Sequence, residues 1–269
     1  MKLEGKVAIV TGGGGGIGQG IALCLAEEGA NLVIIDMLED NAQKVAAEVK
    51  ALGRKSLALQ ADVMDNNQVI RVVQKAVDTF GKIDILVNNV GGGGPAKHQA
   101  RHFVDITEEA WDYMFALNVK TQFLMCRAVV PYFLKQKSGK IVNIGSWVGQ
   151  RPGNIKLFAY SIAKAASIHL TRLLATELAP NNINVNCVCP GDVLTIQTSK
   201  AMEAMIRSKP ELAGKTPVEF FTEWVKPRTP LQRLQTPEDM GHAVVFLVSE
   251  DSRNVTGLML NVDGGQVMQ

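Results

Sequence analysis

This chain of 269 residues has no excess of charge of either sign, few cysteines and no long apolar run. Its 28 basic and 26 acidic residues leave a net charge of +2, so bulk electrostatics gives no reason to expect nucleic-acid binding. The apolar stretches have the length of core strands, far short of the roughly 18 residues of a membrane helix. No apolar signal region precedes the first strand. We therefore expect neither a membrane anchor nor secretion.

Cysteine is too sparse for a disulfide framework or a zinc pattern. The four residues are Cys24, Cys126, Cys187 and Cys189. Cys187 and Cys189 alternate along a predicted strand and should point to one side, without partners at metal-ligand spacing. We predict no metal site and a reducing, cytoplasmic compartment.

Short apolar segments alternate with helical ones along the whole chain. Strands are predicted at Val7–Val10, Asn31–Ile35, Ser56–Gln60, Ile83–Asn88, Ile141–Ile144, Ile183–Val188 and Leu258–Val262. Helices are predicted at Ile17–Glu28, Asp40–Leu52, Asn66–Phe80, a broken stretch over 107–137, Phe158–Leu178, and a segment opening at Thr236–Pro237. This order predicts one α/β domain over residues 1–269. Its core would be a doubly wound, Rossmann-type parallel sheet of seven strands with helices on both faces.

Two long segments, 91–105 and 192–233, interrupt this alternation of strands and helices and are predicted as loops. Both follow the carboxyl ends of strands, where ligands bind in open parallel sheets. We expect 192–233 to act as a lid over a substrate. The spacing of its aromatic residues Phe220, Phe221 and Trp224 favours one helix face packed on the core over a substrate box.

A run of glycine from Gly12 to Gly16, followed by Ile17 and Gly18, lies between the first strand and the first helix. Such a turn lets a pyrophosphate approach the backbone and the helix N-terminus. Asp36 ends the second strand, where a carboxylate accepts the ribose hydroxyls of NAD and repels the 2′-phosphate of NADP. We predict NAD as the cofactor.

Tyr160 and Lys164 lie four residues apart, on one face of a predicted helix. An adjacent ammonium favours phenolate, so Tyr160 could exchange a proton with an alcohol. Ser146 follows a strand end, where its hydroxyl could bind a substrate oxygen. Asn118 lies on a helix of the same half of the chain.

Taken together, these motifs resemble the short-chain dehydrogenase/reductase family over essentially the whole chain. The matching pieces are Thr11-Gly12…Gly16-Ile17-Gly18, Asp62-Val63, Asn88-Asn89-Val90-Gly91, Asn118, Ser146, Tyr160…Lys164 and Pro190-Gly191…Thr195. The resemblance implies an oxidoreductase in which hydride passes between the nicotinamide and the carbon bearing the oxygen.

The resemblance also implies a role for each matching residue. Tyr160 is the general acid/base, Lys164 lowers its pKa and holds the nicotinamide ribose, and Ser146 binds the reacting oxygen. Asn118 supports a water in a proton relay through Lys164. The residues implied in cofactor binding are Gly12, Gly16, Ile17, Gly18, Asp36, Asp62, Val63, Asn89, Gly91, Tyr160, Lys164, Pro190, Gly191, Val193 and Thr195.

Some residues depart from the family pattern or leave the substrate open. Gly145 stands where Ser or Ala is usual, and Trp147 either walls the substrate pocket with Ser146 and Tyr160 or packs as an ordinary aromatic. Basic residues near the site either steer an anionic substrate or form a solvated surface; they are Lys97, His98, Arg101, His102, Arg151 and Lys156.

The helices over 107–137 and 158–178 expose more apolar surface than one sheet face covers. Their residues Phe123, Cys126, Val130, Ile168, Leu173 and Leu174, together with the family resemblance, predict a homotetramer. We expect an NAD-dependent enzyme that interconverts a secondary alcohol and a ketone. Two alternatives stay open: an NADP-dependent 3-oxoacyl reductase of fatty-acid synthesis, and a non-catalytic protein that senses NAD(H).

Overall fold

Seven parallel strands form one sheet in the computed structural model, which describes residues 1–98, 102–151 and 157–268. The strands are β1 (Val7–Thr11), β2 (Asn31–Asp36), β3 (Ser56–Gln60), β4 (Ile85–Asn88), β5 (Gly139–Ile144), β6 (Ile183–Pro190) and β7 (Met259–Val262). Their order across the sheet is β3-β2-β1-β4-β5-β6-β7. The predicted seven-stranded, doubly wound sheet is confirmed.

Helices cover both faces of this sheet. They are α1 (Gly16–Glu27), α2 (Glu39–Ala51), α3 (Asn66–Phe80), α4 (Glu108–Phe115), α5 (Thr121–Gln136), α6 (Phe158–Leu178), α7 (Ile196–Ser208), α8 (Pro217–Val225) and α9 (Pro237–Val248). In β1, Ala8 and Val10 belong to the core under α1, α2 and α9, whereas Ile9 belongs to the core under α3 and α5. A strand buried on both sides reads as a continuous apolar run, as β1 does.

The broken helix predicted over 107–137 is confirmed, and the nature of its break is visible. Thr107 caps α4 by accepting the Ala110 N–H at 3.1 Å. Between α4 and α5 the backbone forms one π-helical turn, Ala116–Lys120. Such turns are rare and are often found at functional sites. This one contains Asn118.

The prediction that 192–233 is a loop is wrong, because α7 and α8 lie within it. Thr195 caps α7, accepting the Thr198 N–H at 3.1 Å. A reciprocal capping box begins α8: Thr216 Oγ1 accepts the Glu219 N–H, and a Glu219 carboxylate oxygen accepts the Thr216 N–H. Both caps stabilise helices that contribute few residues to the core.

The carboxyl ends of the strands lie along one edge of the sheet, because all the strands are parallel. The glycine turn after β1, Asp36 at the end of β2, Ser146 after β5 and Gly191 after β6 therefore lie along that edge. Within the described part of the chain, no helix is both long and apolar enough to span a bilayer.

Candidate active site

The glycine turn after β1 is packed too closely for side chains at Gly12, Gly14 and Gly18. A Cβ on Gly18 would lie 2.1 Å from the Gly12 carbonyl oxygen, and Gly12 has a φ of +60°. Asn89 fixes the turn from β4, because its Nδ2 donates to the carbonyl oxygens of Thr11 at 3.0 Å and Gly12 at 3.1 Å. The turn is therefore held in place before any ligand arrives.

This turn leads into the N-terminus of α1, which has no side-chain cap. The first N–H groups of a helix have no partner within the helix, and they favour anions. Asp36 lies beside the same turn: its Oδ2 accepts the Gly14 N–H at 3.0 Å and its Oδ1 accepts the Leu38 N–H at 3.0 Å. Its carboxylate is thereby held at the end of β2, next to the glycine turn.

Other residues predicted to bind the cofactor lie at neighbouring strand ends. Asp62 closes the turn after β3, with its Oδ1 accepting the Met64 N–H at 2.8 Å, and Val63 is buried. A Cβ on Gly16 would lie 3.4 Å from the Thr195 methyl group. The start of α7 therefore lies against the start of α1, which brings the lid next to the glycine turn.

Tyr160 and Ser146 lie at this edge, where both line the same cavity. Burial raises the pKa of the Tyr160 phenol, and the Ser146 hydroxyl opposes that rise. The ammonium of Lys164 lies 5.8 Å from the Tyr160 ring centre. The Tyr160 pKa is shifted in this structure by burial, Ser146 and Cys189, and the lowering of that pKa by Lys164 stays a prediction.

Lys164 is 2% exposed, and its Nζ donates to the Ile144 carbonyl at 2.8 Å. Burial lowers its pKa to about 8. Asn118 is fully buried: its Oδ1 accepts the Gly92 N–H at 2.9 Å, and its Nδ2 donates to the Met114 carbonyl at 3.0 Å. Both side chains converge on Gly91, where a Cβ would lie 2.7 Å from Asn118 Oδ1 and 2.9 Å from Lys164 Nζ.

The two thiols of β6 explain the glycine at position 145. As predicted, Cys187 and Cys189 point to one side, with their Sγ atoms 3.7 Å apart. A Cβ on Gly145 would lie 2.7 Å from the first Sγ and 2.8 Å from the second. The thiols therefore fill the space that the usual Ser or Ala side chain would need. The space beside Lys164 is thus filled by sulfur.

A cavity of about 860 Å³ opens beside Tyr160 and Ser146, within the size range of small-molecule sites. Trp147 lines it, and its role as a wall of the substrate pocket stays a prediction. Trp224 lines it too, which corrects the expectation that this aromatic packs on the core. Of the three aromatic residues of α8, only Phe221 is fully buried. Further lining residues are Arg151, Gly191, Asp192, Arg228 and Gln266.

The basic residues predicted near the site do not come together around the cavity. Among its described members only Arg151 lines the cavity. Lys97 lies 3.7 Å from Glu109 on the exposed surface, and the buried His98 stacks on Tyr113. His102 is exposed, while Arg101 and Lys156 lie outside the described residues.

Asp192, Arg228 and Gln266 were missed as site residues by sequence reasoning. They come from the strand end after β6, the turn after α8 and the segment after β7. Burial raises the pKa of Asp192, while the Gln266 amide, which donates to it at 2.6 Å, and the Arg228 charge both oppose that rise. In the sequence, Asp192 and Gln266 could have been found only by their position, because each follows the end of a strand.

A family model described as enoyl-(acyl carrier protein) reductase matches residues 12–266. The chain belongs to the short-chain dehydrogenase/reductase family. As a member of this family it is an oxidoreductase. The predicted family and its Rossmann-type fold are both confirmed.

Similar dehydrogenases and reductases align over nearly the whole chain. The 3-oxoacyl-(acyl-carrier-protein) reductase of Thermotoga maritima is 37% identical, with 100% of both chains covered. A 7α-hydroxysteroid dehydrogenase, solved with NADH and 7-oxo glycochenodeoxycholic acid, is 34% identical with a TM-score of 0.85, covering 100% of this chain and 96% of its own. NAD⁺-bound xylitol dehydrogenase is 32% identical with a TM-score of 0.87, covering 98% and 100%.

The residues of this dehydrogenase/reductase fit a nicotinamide dinucleotide. The close glycine turn provides a cradle that a Cβ would fill, and the uncapped start of α1 supplies N–H groups for a pyrophosphate. The carboxylate of Asp36 lies at the end of β2, where the adenosine ribose is held in such folds.

Proposed function

We propose that this protein is an NAD-dependent enzyme that interconverts a secondary alcohol and a ketone. The observation that carries the proposal is the convergence of Ser146, Tyr160, Lys164 and Asn118 beside the glycine turn, with Ser146 and Tyr160 lining the cavity. When bound, NAD supplies the hydride chemistry. The residues of the chain hold the substrate and move the proton.

Tyr160 is the proposed general acid/base, and Ser146 is proposed to hold the reacting oxygen. Because burial raises the pKa of Tyr160, the phenol keeps its proton near neutral pH and can donate it to a ketone oxygen. In the oxidative direction, the phenol first passes its own proton to solvent through the proposed Lys164–Asn118 relay, and the phenolate oxygen then accepts the alcohol proton. Lys164, with its pKa of about 8, can exchange a proton with solvent near neutrality, and Asn118 is its proposed partner in the relay.

NAD rather than NADP is the proposed cofactor because Asp36 brings a negative charge to the glycine turn. A 2′-phosphate there would face a carboxylate. We assign the remaining cofactor contacts to Gly12, Gly16, Ile17, Gly18, Asp62, Val63, Asn89, Gly91, Tyr160, Lys164, Pro190, Gly191, Val193 and Thr195. The similarity to the Thermotoga maritima reductase supports 3-oxoacyl reduction as a second candidate.

Fluorescence titration with NADH and NADPH tests the cofactor proposal. The unaltered protein should bind NADH at least about tenfold more tightly, a difference of about 1.4 kcal/mol, and Asp36→Ala should bring the two affinities within about threefold. Asp78→Ala, which removes an exposed carboxylate on α3, is the matched control and should change neither affinity. Equal or tighter binding of NADPH by the unaltered protein would favour the NADP-dependent 3-oxoacyl reductase.

Tyr160→Phe separates an enzyme from a protein that only senses NAD(H). Turnover of secondary alcohols with NAD⁺ should fall at least about 100-fold, because general acid/base catalysis contributes about that much. NADH affinity should stay within about twofold of the original. A variant that turns over at the original rate would remove Tyr160 from the mechanism, and an unaltered protein without turnover would favour the sensor.

We further propose a cytoplasmic homotetramer of one-domain protomers in which 192–233 covers the substrate. Four buried, unpaired cysteines suit a reducing compartment. Cys126 and Ile168 pack inside the protomer, so the contact surface is smaller than the sequence suggested; Phe123 on α5 and Leu173 on α6 stay 45% and 58% exposed. The proposed partners are a small alcohol or ketone and three further copies, without nucleic acid or membrane.

A further inference from the structure

Two arginine–tryptophan stacks line the cavity that contains Tyr160. The guanidinium of Arg151 lies 5.4 Å from the Trp147 ring centre, in the segment that follows Ser146. The guanidinium of Arg228 lies 4.4 Å from the Trp224 ring centre, at the end of α8. The stacks come from segments more than 70 residues apart in sequence, so two separate parts of the chain each bring a positive charge to one small cavity.

A guanidinium lying on an indole face keeps its N–H edge free for other partners. Arg228 uses one N–H for the Trp224 carbonyl, which ends α8. Among the described residues, neither Arg151 nor Arg228 has a carboxylate oxygen within 4.0 Å. The edges of both groups therefore retain donors that match the two oxygens of a carboxylate.

Asp192 reduces the net positive charge of the cavity wall and so limits the negative charge of a ligand that binds there. It lines the same cavity, feels the Arg228 charge, and accepts the Gln266 amide. Two arginines and one acid leave about one net positive charge at the wall. This balance favours a monoanionic carboxylate over a phosphate dianion, which Asp192 would repel more strongly.

We infer that the substrate of this enzyme carries a carboxylate, held by Arg151 and Arg228, in addition to the oxygen that Ser146 and Tyr160 address. The inference rests on the proposed function, because it takes the cavity to be the substrate site. Arg228 belongs to the lid segment and Arg151 to the wall after β5, so a carboxylate bound between them would also draw the lid towards the site.

Paired probes test the inference by binding as well as by turnover. The probes are 4-oxopentanoate, 5-oxohexanoate and 7-oxooctanoate, each compared with its methyl ester. Binding is followed by NADH fluorescence in a Tyr160→Phe background, which should bind NADH without turnover, and turnover is followed with the unaltered Tyr160. At least one acid should bind about tenfold more tightly than its ester, the scale of one charge-assisted hydrogen bond. Arg151→Gln and Arg228→Gln should each reduce acid affinity by about that factor and leave ester affinity within twofold.

Arg207→Gln is the matched control, since Arg207 is a lid arginine on α7 that is 76% exposed and lies near Glu203. It should leave both acid and ester affinities unchanged. Equal binding of acids and esters, an equal loss in the Arg207 variant, or no binding of any acid would overturn the inference. Acid-selective binding with no turnover of acid or ester would instead reject the proposed function and keep the carboxylate site.

Discussion

Lys164 shows how burial makes a single residue sensitive to pH. Its pKa of about 8 lies below the 10.5 of an ordinary lysine because its ammonium is desolvated. Between pH 8 and about 10, the unfolded chain therefore binds a proton that the folded chain has lost. Under these conditions the folding free energy becomes more favourable as pH rises.

The free energy of unfolding, measured relative to Lys164→Met, should therefore increase from pH 7.5 to 9.5. The full difference between the two pKa values corresponds to about 3 kcal/mol. Urea denaturation of both proteins at several pH values measures it, and using the difference cancels groups common to both. A flat or decreasing difference would mean that the folded protein keeps the Lys164 proton.

Gly145 is the second residue whose surroundings allow a sharp prediction. Its hypothetical Cβ lies within 2.8 Å of both β6 thiols, so Gly145→Ala should destabilise the protein by about 1–3 kcal/mol through overpacking. In a Cys187→Ala/Cys189→Ala background the same substitution should cost much less. Chemical denaturation of all four proteins gives the coupling energy; additive effects would show that the thiols are not the obstacle.

At the scale of elements, helices α8 and α9 begin with the same capping motif but lie in different parts of the fold. Capping boxes begin both α8, with Thr216 and Glu219, and α9, with Thr236 and Asp239. However, α9 contributes Met240 and Val244 to the core, whereas α8 belongs to the lid. Loss of the same cap should therefore have different consequences.

Thr236→Ala should lower the global unfolding free energy by about 1 kcal/mol, as loss of a cap typically does. Thr216→Ala should instead speed amide hydrogen exchange within α8 and leave the urea midpoint nearly unchanged. Urea denaturation and exchange followed by mass spectrometry measure the two effects. Equal midpoint shifts would mean that the lid and the core unfold as one unit.

The elements also show where sequence reasoning succeeds and fails. Strands such as β1 and β2 could be predicted because burial on both faces leaves an unbroken apolar run. Helix α7 was missed because most of its described residues are exposed. For α8 the aromatic spacing and the Thr216–Glu219 capping box were present in the sequence, but the segment was still predicted as a loop. That Arg228 and Arg151 line one cavity could not be predicted, since it depends on how the lid packs.

For the whole molecule, the open question is how protomers associate. Leu173 on α6 is 58% exposed and is a centre of the proposed contact, with Phe123 on α5. Strand β7 is at the edge of the sheet and would provide the second contact. Exposed apolar patches of this kind often mark interfaces.

Leu173→Glu should therefore reduce the mass measured by light scattering from four protomers to two or one, since the interface would have to bury a carboxylate. Ile70→Glu on α3, where the isoleucine is 53% exposed, is the matched control and should leave the mass unchanged. A single-protomer mass for the unaltered protein, or a tetrameric Leu173 variant, would contradict the proposed assembly.

The division between a fixed sheet edge and a capped lid has a consequence for protein engineering. Ser146, Tyr160 and Lys164 follow β5 or lie on α6, whereas Trp224 and Arg228, which also line the cavity, belong to the segment 192–233. Randomised libraries confined to α7, α8 and the turn after them would then alter which molecules are accepted while keeping the proton chemistry. New specificities should be reachable by a few changes in one contiguous stretch of about thirty codons.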